Sequence, residues 1–446
     1  MTKLAAALAG ACLALQCPAT GASLSRPGML QCNSDIYVGK VQNSSAKGIT
    51  LDDTTLRYCA DRIPELWPNS ASSIKTMRMF RSWSPDWEEE NRVRSWTALV
   101  AYAQENGVKV LVAAPVTCFP KEDEQDWRWT KELMRMLGRD HVMGIAIGNE
   151  LELLSVSQPR SCVEEVWDGG RLWRLFTQRV AEADKMGFEG VPVTTVFTAK
   201  VIYDGYPFAN VKGQVLAQDF FVNATRKYGK RFVFVFNIYP YFDSSLKLDP
   251  GSTTRCTRAV KKATCWHDGC LGYDAMKLAR QRMKALTGHG DLPFWIGEVG
   301  WSSPAAVTLP VYMQQCEDFS SLATLRKFYS GFVKWNLSLT GYRPPHQVFY
   351  FTMRDSMNYG IQEYFGLLDT CKNDKCKIQT ANYTAFEAVE APIRPKVLQG
   401  GILLILACNC LMTLFVWMFV RATRRSSRSL RRQGNAGDAG DSDEEE

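Results

Sequence analysis

Short apolar runs recur through the middle of the chain. They are Ile36–Val38, Ile74–Phe80, Val108–Ala114, His141–Ile147, Val191–Phe197, Phe232–Ile238, Phe294–Gly297 and Gln347–Phe351. Runs this short, bounded by polar residues, have the length of buried strands. Between most of them apolar residues return at helical spacing, over Ser95–Glu105, Arg171–Met186, Tyr273–Leu286 and Leu322–Trp335. Eight strands alternating with helices predict an α/β domain, a parallel (β/α)8 TIM barrel. A doubly wound open sheet fits the same alternation. No G-x-G-x-x-G follows the first run and no P-loop is present, so nucleotide-binding versions of either fold lose weight.

The two ends carry a different pattern. Lys3 precedes an apolar stretch, Leu4 to Leu15, and the small residues Thr20-Gly21-Ala22 follow, which predicts a signal peptide over residues 1–22. Gly400 to Val420 has no charge over 21 residues, enough at about 1.5 Å each for a bilayer core of about 30 Å. Six arginines between Arg421 and Arg432 mark its cytoplasmic side. A glycolipid-anchor signal normally ends in its apolar tail, whereas residues 421–446 are polar, with six acids against the six arginines. The expected order is a signal peptide, the (β/α)8 domain over 23–384, a stalk over 385–399, a transmembrane helix over 400–420 and a disordered cytoplasmic tail. That makes a type I single-pass membrane protein of the secretory pathway, in the plasma membrane or a secretory organelle. Its large domain is extracellular or lumenal, and membrane lipid is one partner.

Composition agrees. With 46% hydrophobic and 22% charged residues, the 446-residue chain is globular, not collagenous or mainly disordered. The net charge of +7 comes from bases scattered among acids, so no nucleic-acid partner is expected. Ten of the 14 cysteines fall between the two apolar ends, an even set that predicts five disulfides, with Cys371–Cys376 as the expected local pair. Cys256 to Cys270 reads as a stapled insertion after the sixth strand; Cys265 and Cys270 with His267 and Asp268 also have the look of a metal knuckle. Four histidines without paired spacing argue against any other metal site, and no cofactor is expected. Asn43, Asn223, Asn336 and Asn382 each head a glycosylation sequon.

In a barrel the strands' C-terminal ends form the site. Met143–Ile147 leads into Gly148-Asn149-Glu150, and Pro293–Gly297 leads into Glu298-Val299-Gly300-Trp301. One strand-end glutamate more often serves an ion pair or a helix cap. Two at matching places, strands four and seven, with no Ser-His arrangement, fit glycoside hydrolysis. One carboxyl would protonate the departing oxygen while the other attacks or activates water at the anomeric carbon. Trp301 and other aromatics offer flat faces for sugar rings.

From about Asp35 to Thr370 the sequence resembles glycoside hydrolase family 17, the β-1,3-glucanases. Gly148-Asn149-Glu150 resembles the family's acid/base strand end, and Glu298-Val299-Gly300-Trp301-Ser302-Ser303 its nucleophile motif. Asn237-Ile238-Tyr239-Pro240-Tyr241-Phe242 matches its N-x-Y-P-Y-F strand, and Tyr350-Phe351 with Glu363–Leu368 its final elements. The resemblance implies a retaining (β/α)8 barrel with Glu150 as acid/base and Glu298 as nucleophile. It implies that Asn149 bonds the sugar 2-hydroxyl, that Tyr239 orients the nucleophile, and that Tyr241, Trp301 and Glu363 contact sugar or support the site. Val299, Ser302 and the Arg78-Met79-Phe80 end of the second strand depart from the family pattern. The same site would serve a β-1,3-glucanosyltransferase, and a non-catalytic glucan-binding or adhesion protein is the reading from another class.

Overall fold

The structure is a computed structural model and describes residues 40–203, 207–208, 217–243, 246, 253–304, 316–358, 361–372 and 376–378. Eight parallel strands close into a barrel in sequence order. They are β1 (Lys47–Leu51), β2 (Thr76–Met79), β3 (Lys109–Ala114), β4 (Val142–Asn149), β5 (Val193–Thr198), β6 (Phe234–Asn237), β7 (Phe294–Val299) and β8 (Gln347–Tyr350). Helices over Asp53–Cys59, Glu89–Asn106, Pro120–Leu137, Arg171–Ala183, Ala217–Tyr228, Leu271–Thr287 and Leu322–Lys334 follow the first seven. The barrel alternative is therefore the correct one of the two the pattern allowed. Seven of the eight expected strands fall on barrel strands.

The first does not. Ile36–Val38 lies outside the described residues, and β1 is Lys-Gly-Ile-Thr-Leu. Its lysine is buried, with Nζ donating to the carbonyls of Phe332 at 2.6 Å and Val333 at 3.1 Å, where the helix Leu322–Lys334 ends. A strand that begins with a buried cation and a glycine has no apolar signature. The signal segment, stalk, apolar stretch Gly400–Val420, tail, Cys32 and Asn382 also lie outside the described residues. Among the described residues no helix is long and apolar enough to cross a membrane.

Alternation along the strands sorts side chains into two cores. On β3, Val110, Val112 and Ala114 join the large shell packed by the helices, while Leu111 and Ala113 join a smaller cluster with Ala146, Val196, Val235, Trp295 and Phe349 inside the barrel. Near the C-terminal ends the interior turns polar, beginning with Arg78 and Asn237, both buried. Two bulges matter there. The β6–β7 register runs Phe236 to Ile296 but Asn237 to Glu298, so Gly297 is the extra residue. Period-two alternation would otherwise give Glu298 the helix-facing side of Ile296; the bulge sets it opposite Asn237. On β4 the register likewise slips between Ala146 and Asn149, at Gly148 with φ 85°.

Disulfides tie neighbouring rim segments. Cys118–Cys162 joins the segments after β3 and β4. Cys256–Cys316 joins those after β6 and β7, and Cys265–Cys270 closes the end of the inserted helix Thr253–Thr264. The insertion is stapled, and the metal-knuckle alternative falls, because both sulfurs are spent on each other. The expected Cys371–Cys376 pair is also corrected: Cys371 bonds Cys59, and Cys376 is disulfide-bonded separately. The chain after β8 folds back on the segment after β1, where Arg354 Nη2 donates to the Arg62 carbonyl at 3.0 Å and Arg62 in turn to that of Cys371. That return brings Cys371 to the end of the first helix.

Candidate active site

Glu150 directly follows β4 and Glu298 is the penultimate residue of β7, so both stand at the C-terminal face. Glu150 is held at φ 50°, ψ 41°, a left-handed conformation that costs a non-glycine residue roughly 1–3 kcal/mol and is seen where a site demands it. Its backbone N–H donates to Val196 of β5 at 2.8 Å.

Asn237, the last residue of β6, sits between the two carboxyl groups. Its Nδ2 donates to Glu150 Oε1 at 2.7 Å and to Glu298 Oε1 at 2.7 Å. Two bonds to one nitrogen place those oxygens no farther apart than twice 2.7 Å. Arg78 of β2 closes the group from below. Its Nη1 donates to Glu298 Oε1 at 2.8 Å and to Asn237 Oδ1 at 3.1 Å, and its Nη2 to Asn149 Oδ1 at 2.6 Å. Charge-assisted bonds of this kind are among the stronger ones available. Tyr239 OH donates to the other oxygen, Glu298 Oε2, at 2.5 Å. Glu298 is thus gripped at both oxygens and Glu150 at one.

The electrostatics separate the partners. Burial, then the negative charge of Glu298, pushes the Glu150 carboxyl up to about 8, against the opposing bond from Asn237. Burial and the Glu298 charge hold the Tyr239 phenol well above its ordinary range, so it stays a donor. Glu363, half-buried in the hairpin Ser356–Asn358 and Ile361–Glu363, adds to the charge acting on Tyr239.

The structure brings together Asn149, Glu150, Tyr239 and Glu298. Of the two roles expected for Trp301 and Tyr241, their burial fits support of the site. Both are fully buried, with Trp301 Nε1 donating to the Phe319 carbonyl at 2.8 Å and the Tyr241 hydroxyl 2.8 Å from Ser320 Oγ. Their rings meet edge to face at 5.1 Å, so they wall the site from behind and present no face to a ligand. Arg78 and Asn237 lie within the sequence motifs but carry no expected role from them. The available signal was the one used for the glutamates: each is a polar residue near the end of an apolar run. Asn43, Asn223 and Asn336 are exposed.

No family model matches the chain, and no curated protein does. Solved structures similar to it include the β-glucosidase from Thermotoga maritima in complex with glucoimidazole, at 11% identity and TM-score 0.39 over 74% of this chain and 94% of that one. A β-glucosidase from Exiguobacterium marinum aligns at 13% identity and TM-score 0.41 over 74% and 94%. Likeness at this level identifies no substrate.

Proposed function

We propose that the chain is a membrane-anchored retaining β-1,3-glucanase that works by double displacement. The observation that carries the reading is the Asn237 bridge. Retaining glycosidases hold their carboxyl groups about 5–5.5 Å apart, inverting ones about 6.5–9.5 Å, and two facing oxygens that share one amide nitrogen at 2.7 Å each support the closer arrangement. Glu298, oriented by Arg78 and Tyr239, attacks the anomeric carbon while Glu150 gives its proton to the leaving oxygen. The glycosyl–Glu298 ester forms and the glycosidic bond breaks. Glu150, now a carboxylate, takes a proton from water, whose oxygen attacks the same carbon and releases Glu298. Asn149 is assigned to the sugar 2-hydroxyl. The four ordered motifs support β-1,3-glucan as substrate. The sequence signals for secretion and a single span would hold the barrel on the extracellular or lumenal side.

Incubating the purified protein with laminari-oligosaccharides tests the proposal. Shorter products are expected. Longer products would make it a glucanosyltransferase, and binding without turnover would leave it an adhesin.

A further inference from the structure

Two residues beyond Glu150 lies a second glutamate that the reading so far leaves idle. Glu152 sits in the short turn Leu151–Leu153 and is 1% exposed. Its Oε1 accepts the backbone N–H of Thr198, the last residue of β5, the strand that already holds the Glu150 backbone through Val196. Its Oε2 has no hydrogen-bond partner among the described residues. A buried carboxyl with one oxygen unmet is costly, and a neutral amide would cap Thr198 as well. What an amide cannot supply is charge. Lys200 from the segment after β5 acts on Glu152, while Glu298 of β7, Arg78 of β2 and Glu152 itself act on Glu150.

We infer that Glu152 is a positioning residue for Glu150: its carboxyl bolts the left-handed turn to β5, and its negative charge keeps the neighbouring proton on Glu150. The inference rests on reading Glu150 as the acid. Burial raises both carboxyls, and a charge on Glu152 adds to that of Glu298 in holding the proton on Glu150.

Two variants of the full chain in detergent separate the bolt from the charge. Glu152→Gln keeps an acceptor for Thr198 and removes the charge; Glu152→Ala removes both. The Glu150 carboxyl is followed by carbon-13 NMR of glutamate-labelled protein, assigned with Glu150→Gln, beside the pH dependence of laminari-oligosaccharide turnover. In Glu152→Gln the Glu150 titration and the alkaline limb should move together to lower pH, by on the order of half a unit, with the melting temperature kept. In Glu152→Ala kcat should fall further, on the order of tenfold, with KM little changed. A Glu150 titration unmoved in Glu152→Gln overturns the proposal. So does a Glu152→Gln protein that fails to fold, since the bond to Thr198 is kept and the charge would then be structural. If the parent protein turns over no glucan, the NMR titration still decides the role of Glu152 and the failure belongs to the substrate assignment.

Discussion

Glu298 and Glu150 are chemically identical side chains given different work by their neighbours. Glu298 accepts from Arg78, Asn237 and Tyr239, while Glu150 accepts from Asn237 and is raised by burial and by the Glu298 charge. Replacing Glu298 with Ala should abolish turnover of every glucan, because no covalent intermediate can form. Glu150→Ala should slow substrates with poor leaving groups most, and azide should partly rescue it on an activated aryl glucoside, since azide attacks the intermediate without a base. Equal loss on all substrates and no rescue would argue against Glu150 as the acid. An acid held up to about 8 also sets the alkaline limit: the rate should fall as pH rises through about 8, the protonated form being the active one. A rate that keeps rising past that point would exclude the assignment. Both glutamates were legible in the sequence because each ends an apolar run. Whether Trp301 and Tyr241 face sugar or support the site stayed open in the sequence, since burial on one side of a rim depends on Phe319 and Phe365, distant in sequence.

At the scale of single elements, the bulges decide which way the site faces. Gly297 is the residue that allows one of them: a Cβ there would stand 2.6 Å from Asn237 Oδ1 and 2.9 Å from Arg78 Nη1. Both belong to the hydrogen-bond network that grips Glu298. Gly297→Ala should therefore cost about 1–3 kcal/mol in denaturant unfolding and reduce kcat by on the order of 100-fold, because the displaced groups are the ones that orient the carboxylate. A fully stable, fully active Gly297→Ala protein would show that the bulge is tolerant. Strands β2 to β8 were legible because their apolar runs are dense. β1 was not, because Lys47 spends its charge on the carbonyls of a helix C-terminus nearly three hundred residues away, a partnership invisible to local pattern. The Cys59–Cys371 bond escaped for the same reason: it is made when the end of the chain returns to its beginning.

Across the whole molecule several carboxyl groups share one condition. Burial raises Asp52, Asp126 and Glu152 to about 7 and Glu150 to about 8. Each binds its proton more tightly folded than unfolded, so its stabilisation is complete below the unfolded value and is lost as pH rises through the folded one. The protein should melt at a higher temperature at about pH 5 than at about pH 7. Above that range the buried Lys47 amine, held down to about 7, works in the opposite direction. Melting temperatures flat or rising over that interval would mean these carboxyls are solvated when folded. Alternation narrowed the fold to a barrel or an open doubly wound sheet, and the pairing of β8 with β1 decides between them. The barrel's polar interior floor, where Arg78 reaches from β2 to β4, β6 and β7, exists only once the sheet closes.

A double displacement by Glu150 and Glu298, bridged by Asn237, fixes the anomer of the first product. Proton NMR of the first product released from a laminari-oligosaccharide, recorded before mutarotation, tests it most directly. Two inversions at one carbon must return a β-configured hemiacetal, and that is the predicted signal. An α-configured first product would mean a single displacement by water, and would contradict the roles given to Glu150 and Glu298.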